Sequence, residues 1–305
     1  MLLLAVSTGC AGNAVFWNDP PPLRLKPHEL DEARRDRLRD LSHVGLKRAR
    51  AAVNSGQRVR WYGQAGIAQY RLQSGRVPLD VDLLMDDPTG MIAMDTVNDA
   101  NETERRHHPH LFDCTSWYRR INAQKASAVH SAWAAHCQFR IGELRTDVFR
   151  NVKFARSFDG TMPRRLRARL KALNRAVDAY KQAQRIALRA NERAVIVASS
   201  ARMVILLSEM ARDIARVPVP EVYRNAPKIA AALVAKQRQI AVRFGDKARE
   251  LLGQMNKVAR ALRREDDPWA KAARKAVLAA PRQSNAEVFG AATGGPSTRP
   301  RPGGP

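Results

Sequence analysis

Two aspartates one residue apart, Asp80 and Asp82, sit inside the apolar stretch LDVDLLM. On a β-strand, residues two apart point to the same side, so both carboxylates would face one site from a buried element. Such a placement is costly unless cations or hydrogen bonds compensate. Divalent metals supply that compensation: two Mg²⁺ ions held between carboxylates can activate an attacking hydroxyl and stabilise a leaving pyrophosphate. Asp147, in the stretch IGELRTDVF and flanked by Leu144, Val148 and Phe149, is the third carboxylate expected on a neighbouring strand. Upstream, Gly63-Gln64-Ala65-Gly66 reads as a turn between a strand and a helix. Small residues there would let backbone N–H groups and a helix N-terminus approach a triphosphate.

On these residues the chain resembles the DNA polymerase β-like nucleotidyltransferases, in particular the minimal and abortive-infection toxin type. The run AGIAQYRLQSGRVPLDVDLL, residues 65–84, has that family's look: a small-residue turn, a helix, then a D-x-D strand. The resemblance spans about residues 40–150. It implies nucleotidyl transfer with Mg²⁺ as cofactor, Asp80, Asp82 and Asp147 as catalytic metal ligands, and Gly63 and Gly66 as the nucleotide-cradling turn. The turn departs from the paired glycines or Gly-Ser usual in the family.

The elements that would position this site follow from patterning. Residues 1–28 form an apolar start and a proline-rich arm, FWNDPPPLRLKPH, whose prolines fix φ and remove donors. Helical spacing of Leu30, Leu38, Leu41, Val44, Leu46 and Val53 predicts a helix from residue 29 to about 54, stopped by Asn54-Ser55-Gly56. RVRWYG then reads as a strand, QAGIAQYRLQSG as a helix, VPLDVDLLM as a strand, residues 95–113 as an exposed loop, 116–137 as a helix and QFRIGELRTDVF as a strand. Residues 29–158 are thus expected to be a small mixed-sheet unit. Residues 161–275 read as a basic all-α domain: Leu166, Leu170, Leu173, Val177 and Tyr180 share one face, and helix continues to Arg216 as one element or a kinked pair. The run Val217-Pro218-Val219-Pro220 breaks it, and a second long helix is expected over residues 227–264. Residues 281–305 form a Pro, Gly and Arg tail without core residues. The fold class predicted is α+β.

Charge points to the partner. The chain of 305 residues carries 53 Lys and Arg against 29 Asp and Glu, a net charge of +24, and residues 161–275 hold 27 of the basic groups and 10 of the acidic ones. An excess of this size attracts phosphate backbones by releasing their counterions. Lys181, Arg185, Arg189 and Arg193 lie four apart, and Arg164, Arg165, Arg167 and Arg169 form a denser cluster; both are candidate phosphate-binding sets. Two functions fit: a metal-dependent nucleotidyltransferase acting on RNA or another acceptor held by the basic helices, or a non-enzymatic basic helical component of a nucleoprotein particle, such as a mitochondrial ribosome or a virion, that binds nucleic acid and neighbouring subunits.

The remaining chemistry-bearing residues read as structural. His107, His108, His110 and Cys114 lack the paired spacing of a zinc site, and His130, His136 and Cys137 read as helix packing or surface residues. Three cysteines without framework spacing argue against a disulfide scaffold and for a cytoplasmic or organellar-matrix setting. The start MLLLAVSTGCAGNA has the apolar run and Cys10 of a lipid-attachment signal, but lacks a basic n-region and carries Ser7 where Leu or Val is wanted. Residues 194–207, apolar but interrupted by Ser199, Ser200 and Arg202, read as a buried helix and not as a membrane span.

Overall fold

The computed structural model describes residues 17, 20, 21, 23, 30–77, 79, 84, 91–121, 126–154, 162–223 and 225–282. Among them every regular element is helical and no strand occurs. In chain order they are α1 (Glu32–Ala51), α2 (Ser55–Leu72), α3 (Met91–His107), α4 (Pro109–Arg120), α5 (Ala128–Asn151), α6 (Met162–Ala190), α7 (Arg193–Ala215), α8 (Pro227–Ala261) and α9 (Pro268–Leu278). A single 3₁₀ turn, Glu221–Tyr223, precedes α8.

The helix starts are written in the sequence. Asp31, Asn54 and Ser127 cap α1, α2 and α5, each side chain accepting from the backbone N–H three residues on, and Asp267 caps α9 through the N–H of Trp269. Each satisfies a donor that the first helical turn leaves without a partner. Prolines open α4, α8 and α9, where the missing N–H costs nothing. Asn191, at φ 55°, separates α6 from α7, and the N–H of Glu192 reaches back to the carbonyl of Ala187 at 2.9 Å. At the end of α2, Gly75 has φ 65° and its N–H reaches the carbonyl of Tyr70 at 2.8 Å; a Cβ there would stand 2.3 Å from the Tyr70 ring. Only glycine fits that turn.

Helices α5 and α7 form the interior. Residues 131–142 of α5 are buried without interruption, as are residues 195–206 of α7. Around them pack α2, α4 and α6 on the α5 side and α6, α8 and α9 on the α7 side, while α1 lies on α2 and α3 on α6. One apolar core runs from Val59 on α2 to Val277 on α9, with Trp133, Phe139, Phe149, Tyr180 and Leu206 among its fully buried large side chains. A small satellite of Leu38, Leu41 and Ala68 joins α1 to α2. By length and composition α7 could cross a membrane, but most of it is enclosed by the other helices, as the expectation of a buried helix required.

The α+β expectation is therefore overturned, and the nucleotidyltransferase resemblance with it. RVRWYG and QAGIAQYRL are one helix, α2, and Gly63-Gln64-Ala65-Gly66 is not a turn but its middle. QFRIGELRTDVF is the second half of α5, and residues 95–113, expected as an exposed loop, lie almost wholly in α3 and α4. The stretch carrying Asp80 and Asp82 lies outside the described residues. In the C-terminal half the Pro-containing break at residues 217–220 stands, with α8 beginning at Pro227; α9 was not anticipated.

Candidate nucleic-acid interface

On the two interior helices the Glu143 and Arg202 side chains are matched inside the fold, while Trp133 Nε1, His136 Nδ1, Arg140 Nε and Ser199 Oγ are buried without a hydrogen-bond partner. Glu143 of α5 accepts from Arg202 of α7 at both oxygens, Nε at 2.7 Å and Nη2 at 2.5 Å, and from the Tyr180 hydroxyl of α6 at 2.5 Å. Thr146 shares a 2.8 Å hydrogen bond with that hydroxyl, and Arg202 lies over the Trp269 ring of α9 with its guanidinium carbon 4.6 Å from the centroid. Burial alone would raise the Glu143 pKa, but the Arg202 guanidinium and the Tyr180 hydroxyl outweigh it and hold the carboxyl below its ordinary value. Burial and the Glu143 charge push Tyr180 up, and the same two causes raise Tyr70 to about 12 against the pull of Arg140 and Arg202.

The same internal matching recurs elsewhere. Glu104 of α3, with its side chain fully buried, is bridged by Arg145 of α5 and Arg175 of α6, both at 3.3 Å; burial still raises its pKa against these two cations. Arg169 of α6 donates to Asp213 and to the carbonyls of Phe149 and Val152, and Arg150 makes a two-pronged contact with Glu209 at 2.7 and 3.0 Å. Buried Arg165 donates to the Leu84 carbonyl at 3.2 Å.

This sorting divides the residues proposed for phosphate contact. Arg165 and Arg169 are structural: they face inward and fasten α6 to the Leu84 segment, the end of α5 and α7. Arg164, Arg167, Lys181, Arg185 and Arg189 are exposed on α6, and Arg193 is exposed at the start of α7, past the Asn191 turn. Together with Lys171 the α6 set forms a stripe at steps of three and four, Arg164, Arg167, Lys171, Asn174, Asp178, Lys181, Arg185 and Arg189. It runs for roughly 38 Å at the helical rise of 1.5 Å per residue. Its acid, Asp178, stands 3.8 Å from Lys181.

A second basic surface was not recognised from the sequence. Trp117, near the end of α4, lies between two guanidinium groups, Arg58 of α2 at 4.3 Å and Arg120 at 4.5 Å from its ring centroid. Trp61 is flanked in the same way by Arg48 of α1 at 4.7 Å and Arg60 at 5.1 Å. These are cation–π distances, and they bring tryptophan rings and guanidinium planes together at partly exposed positions. The available signal was the absence of any acid between Asp40 and Asp80, a stretch holding seven Lys or Arg.

Of the catalytic set, Asp80 and Asp82 lie outside the described residues, and only Asp147 is placed. Asp147 sits on a helix, where its Oδ2 accepts the Val77 N–H at 3.1 Å, and burial raises its pKa against the pull of that N–H, Arg76 and Arg150. It ties the chain after α2 to α5. Gly63 and Gly66 serve helix packing: a Cβ at Gly63 would meet the Trp133 ring at 2.8 Å, and one at Gly66 would meet the Leu111 backbone nitrogen at 2.7 Å. No group of three His, Cys, Asp or Glu side chains converges as a metal site among the described residues. His108 is buried between α3 and α4, its Nε2 3.0 Å from the Arg76 carbonyl, and His136 reaches Glu192 at 3.5 Å. Burial lowers the pKa of both. A depression of about 340 Å³ between α8 and α9 is lined by Arg263, Arg264, Glu265, Asp266 and Asp267. Comparison with family models, curated proteins and solved structures finds no match to this chain.

Proposed function

We propose that the chain is a non-enzymatic, basic helical protein that binds nucleic acid, RNA in the first instance, along the outer face of α6. The observation that carries this reading is the sorting of charge by burial. Inside the fold Arg202 is met by Glu143, Arg145 and Arg175 by Glu104, and Arg169 by Asp213, whereas Lys171, Lys181, Arg185 and Arg189 stand exposed on the α6 stripe, whose acid is Asp178. The surplus charge therefore faces solvent, where a phosphate backbone can displace counterions. A helix face with one cation per turn or so suits backbone contact; it carries no arrangement for reading base edges, so affinity should exceed sequence preference.

Fluorescence anisotropy with a labelled single-stranded RNA and a labelled RNA duplex tests the proposal. Affinity should fall steeply between 50 and 200 mM salt, and replacing Arg164, Arg167, Lys181, Arg185 and Arg189 together by Gln should weaken binding at least tenfold and reduce the salt slope by about 3 to 5, at 0.7 to 0.9 per phosphate lost. Binding that is flat with salt, or unchanged in the five-fold variant, would remove the proposal. Circular dichroism of that variant should match the parent, because all five side chains are exposed.

A further inference from the structure

Helices α2 and α4 pack antiparallel. A Cβ on Gly66 would meet the Leu111 nitrogen at 2.7 Å, one on Gly63 would stand 3.4 Å from the Cys114 sulfur, and further along α4 Trp117 meets Arg58. This brings the end of α4 to the start of α2, where Gly56 packs against the His130 ring at the start of α5 and the chain enters from α1 through Val53. Arg58 and Arg120 lie over the Trp117 ring with their guanidinium carbons 4.3 and 4.5 Å from its centroid. Arg58 is half-buried and tied down, its Nε donating to the Ala52 carbonyl at 3.0 Å, whereas Arg120, the last residue of α4, is exposed. Two apolar side chains stand in solvent at the same end, Val53 at 94% and Val129 at 44% exposure. Acids are scarce there: α2 has none, and Asp113, one turn before Trp117, stands 3.5 Å from His110.

We propose that Arg120, stacked on Trp117 and Arg58, is a seat for the unpaired bases of a single-stranded nucleic acid. This deepens the nucleic-acid reading above, rests on it, and adds a contact separate from α6. A guanidinium is planar and weakly hydrated, so it can lie on an indole and still offer a plane to a base, with its N–H groups directed at a phosphate. The indole attracts the cation and restricts it. Arg58, held by the backbone of the α1–α2 connection, steadies the ring in turn. Val53 and Val129 supply apolar surface on which a base sheds water. Paired bases in a duplex are already stacked on one another, so the seat selects unpaired strands; it is indifferent to sequence, because every base has a π-face.

Fluorescence anisotropy with the full chain tests this, using labelled oligouridylate of about twelve nucleotides, an abasic ribose-phosphate strand of equal length, and an RNA duplex. Oligouridylate should bind about five-fold or more tightly than the abasic strand, the increment that one stacked base brings. Arg120→Lys keeps the charge and removes the plane, so it should erase most of that preference while leaving affinity for the abasic strand and the duplex unchanged. Circular dichroism should match the parent, because the side chain is exposed. Equal affinity of the parent for oligouridylate and the abasic strand would overturn the seat and leave phosphate contact along α6 standing. A preference that survives Arg120→Lys, or a loss shared equally by all three probes, would also overturn it, the latter by showing a charge contact alone. Capture by phosphatidylserine vesicles without any preference for the base-bearing strand would assign this end of the molecule to a membrane surface instead. Failure of the parent to bind any of the strands would remove this proposal and the nucleic-acid reading together.

Discussion

Glu143 accepts two hydrogen bonds from Arg202 and one from Tyr180, and its worth lies in what its loss would strand. With Glu143→Gln, the Arg202 guanidinium would remain between α5, α7 and α9 without its counter-charge, its side chain only 9% exposed. Breaking a buried pair from one side costs about 3–5 kcal/mol. The double replacement Glu143→Leu with Arg202→Met should cost less than the single one, since no charge is then left in the interior. Urea denaturation of the three proteins checks this; a Gln variant as stable as the parent would mean that water reaches the pair. At this scale the sequence showed the residue types but not their partners. Arg169, Arg175 and Arg202 look on paper like any other cations of a basic chain, and only the fold shows that their acids arrive from 44, 71 and 59 residues away.

At the scale of elements, α2 and α5 were misread for a shared reason. Both are enclosed on several sides, so their apolar residues do not keep to one stripe, and α5 places Glu143 and Thr146 among them because Arg202 and Tyr180 receive them. A helical period cannot emerge from such a sequence, and β-branched and aromatic residues then tip the reading towards strand. Gly56, Gly63 and Gly66 reinforced the error: a glycine costs an isolated helix about 1 kcal/mol relative to alanine, yet here the missing side chain admits a neighbour. Accordingly Gly66→Ala should destabilise the fold by about 1–3 kcal/mol despite its better helix propensity, because backbone of α4 occupies the space its Cβ needs. Thermal melting followed at 222 nm decides the sign. By contrast α6 and α8 each have one face in solvent, and there the periodicity, the Pro-containing break and the helix starts were all legible.

For the molecule as a whole, the balance of proton binding sets the response to acid. His108 and His136 titrate below their ordinary 6.5 when folded because burial disfavours the imidazolium, so the unfolded chain takes up protons in a range where the folded chain does not. Their contribution is complete above about pH 6.5 and is lost as pH falls below it. Glu143 and Glu192, both held below 4.5, add a second loss in the carboxylate range, while Glu104 and Asp147, both raised, oppose it there. Melting temperature should therefore decline from pH 7.5 to 5.5, at up to about 1.4 kcal/mol per pH unit for each histidine, and His136→Gln should flatten that decline. A curve that is level or rising towards pH 5.5 would contradict this assignment of the buried imidazoles.

The enclosure of the Glu143–Arg202 and Glu104–Arg145–Arg175 groups also separates two responses that usually travel together. Mobile ions weaken attractions between groups they can surround, at a range of roughly 8 Å in physiological saline, and they do not enter a packed interior. Concentrated electrolyte should consequently strip a bound strand from α6 while leaving the bundle folded. Elution at high ionic strength would then return intact, reloadable protein.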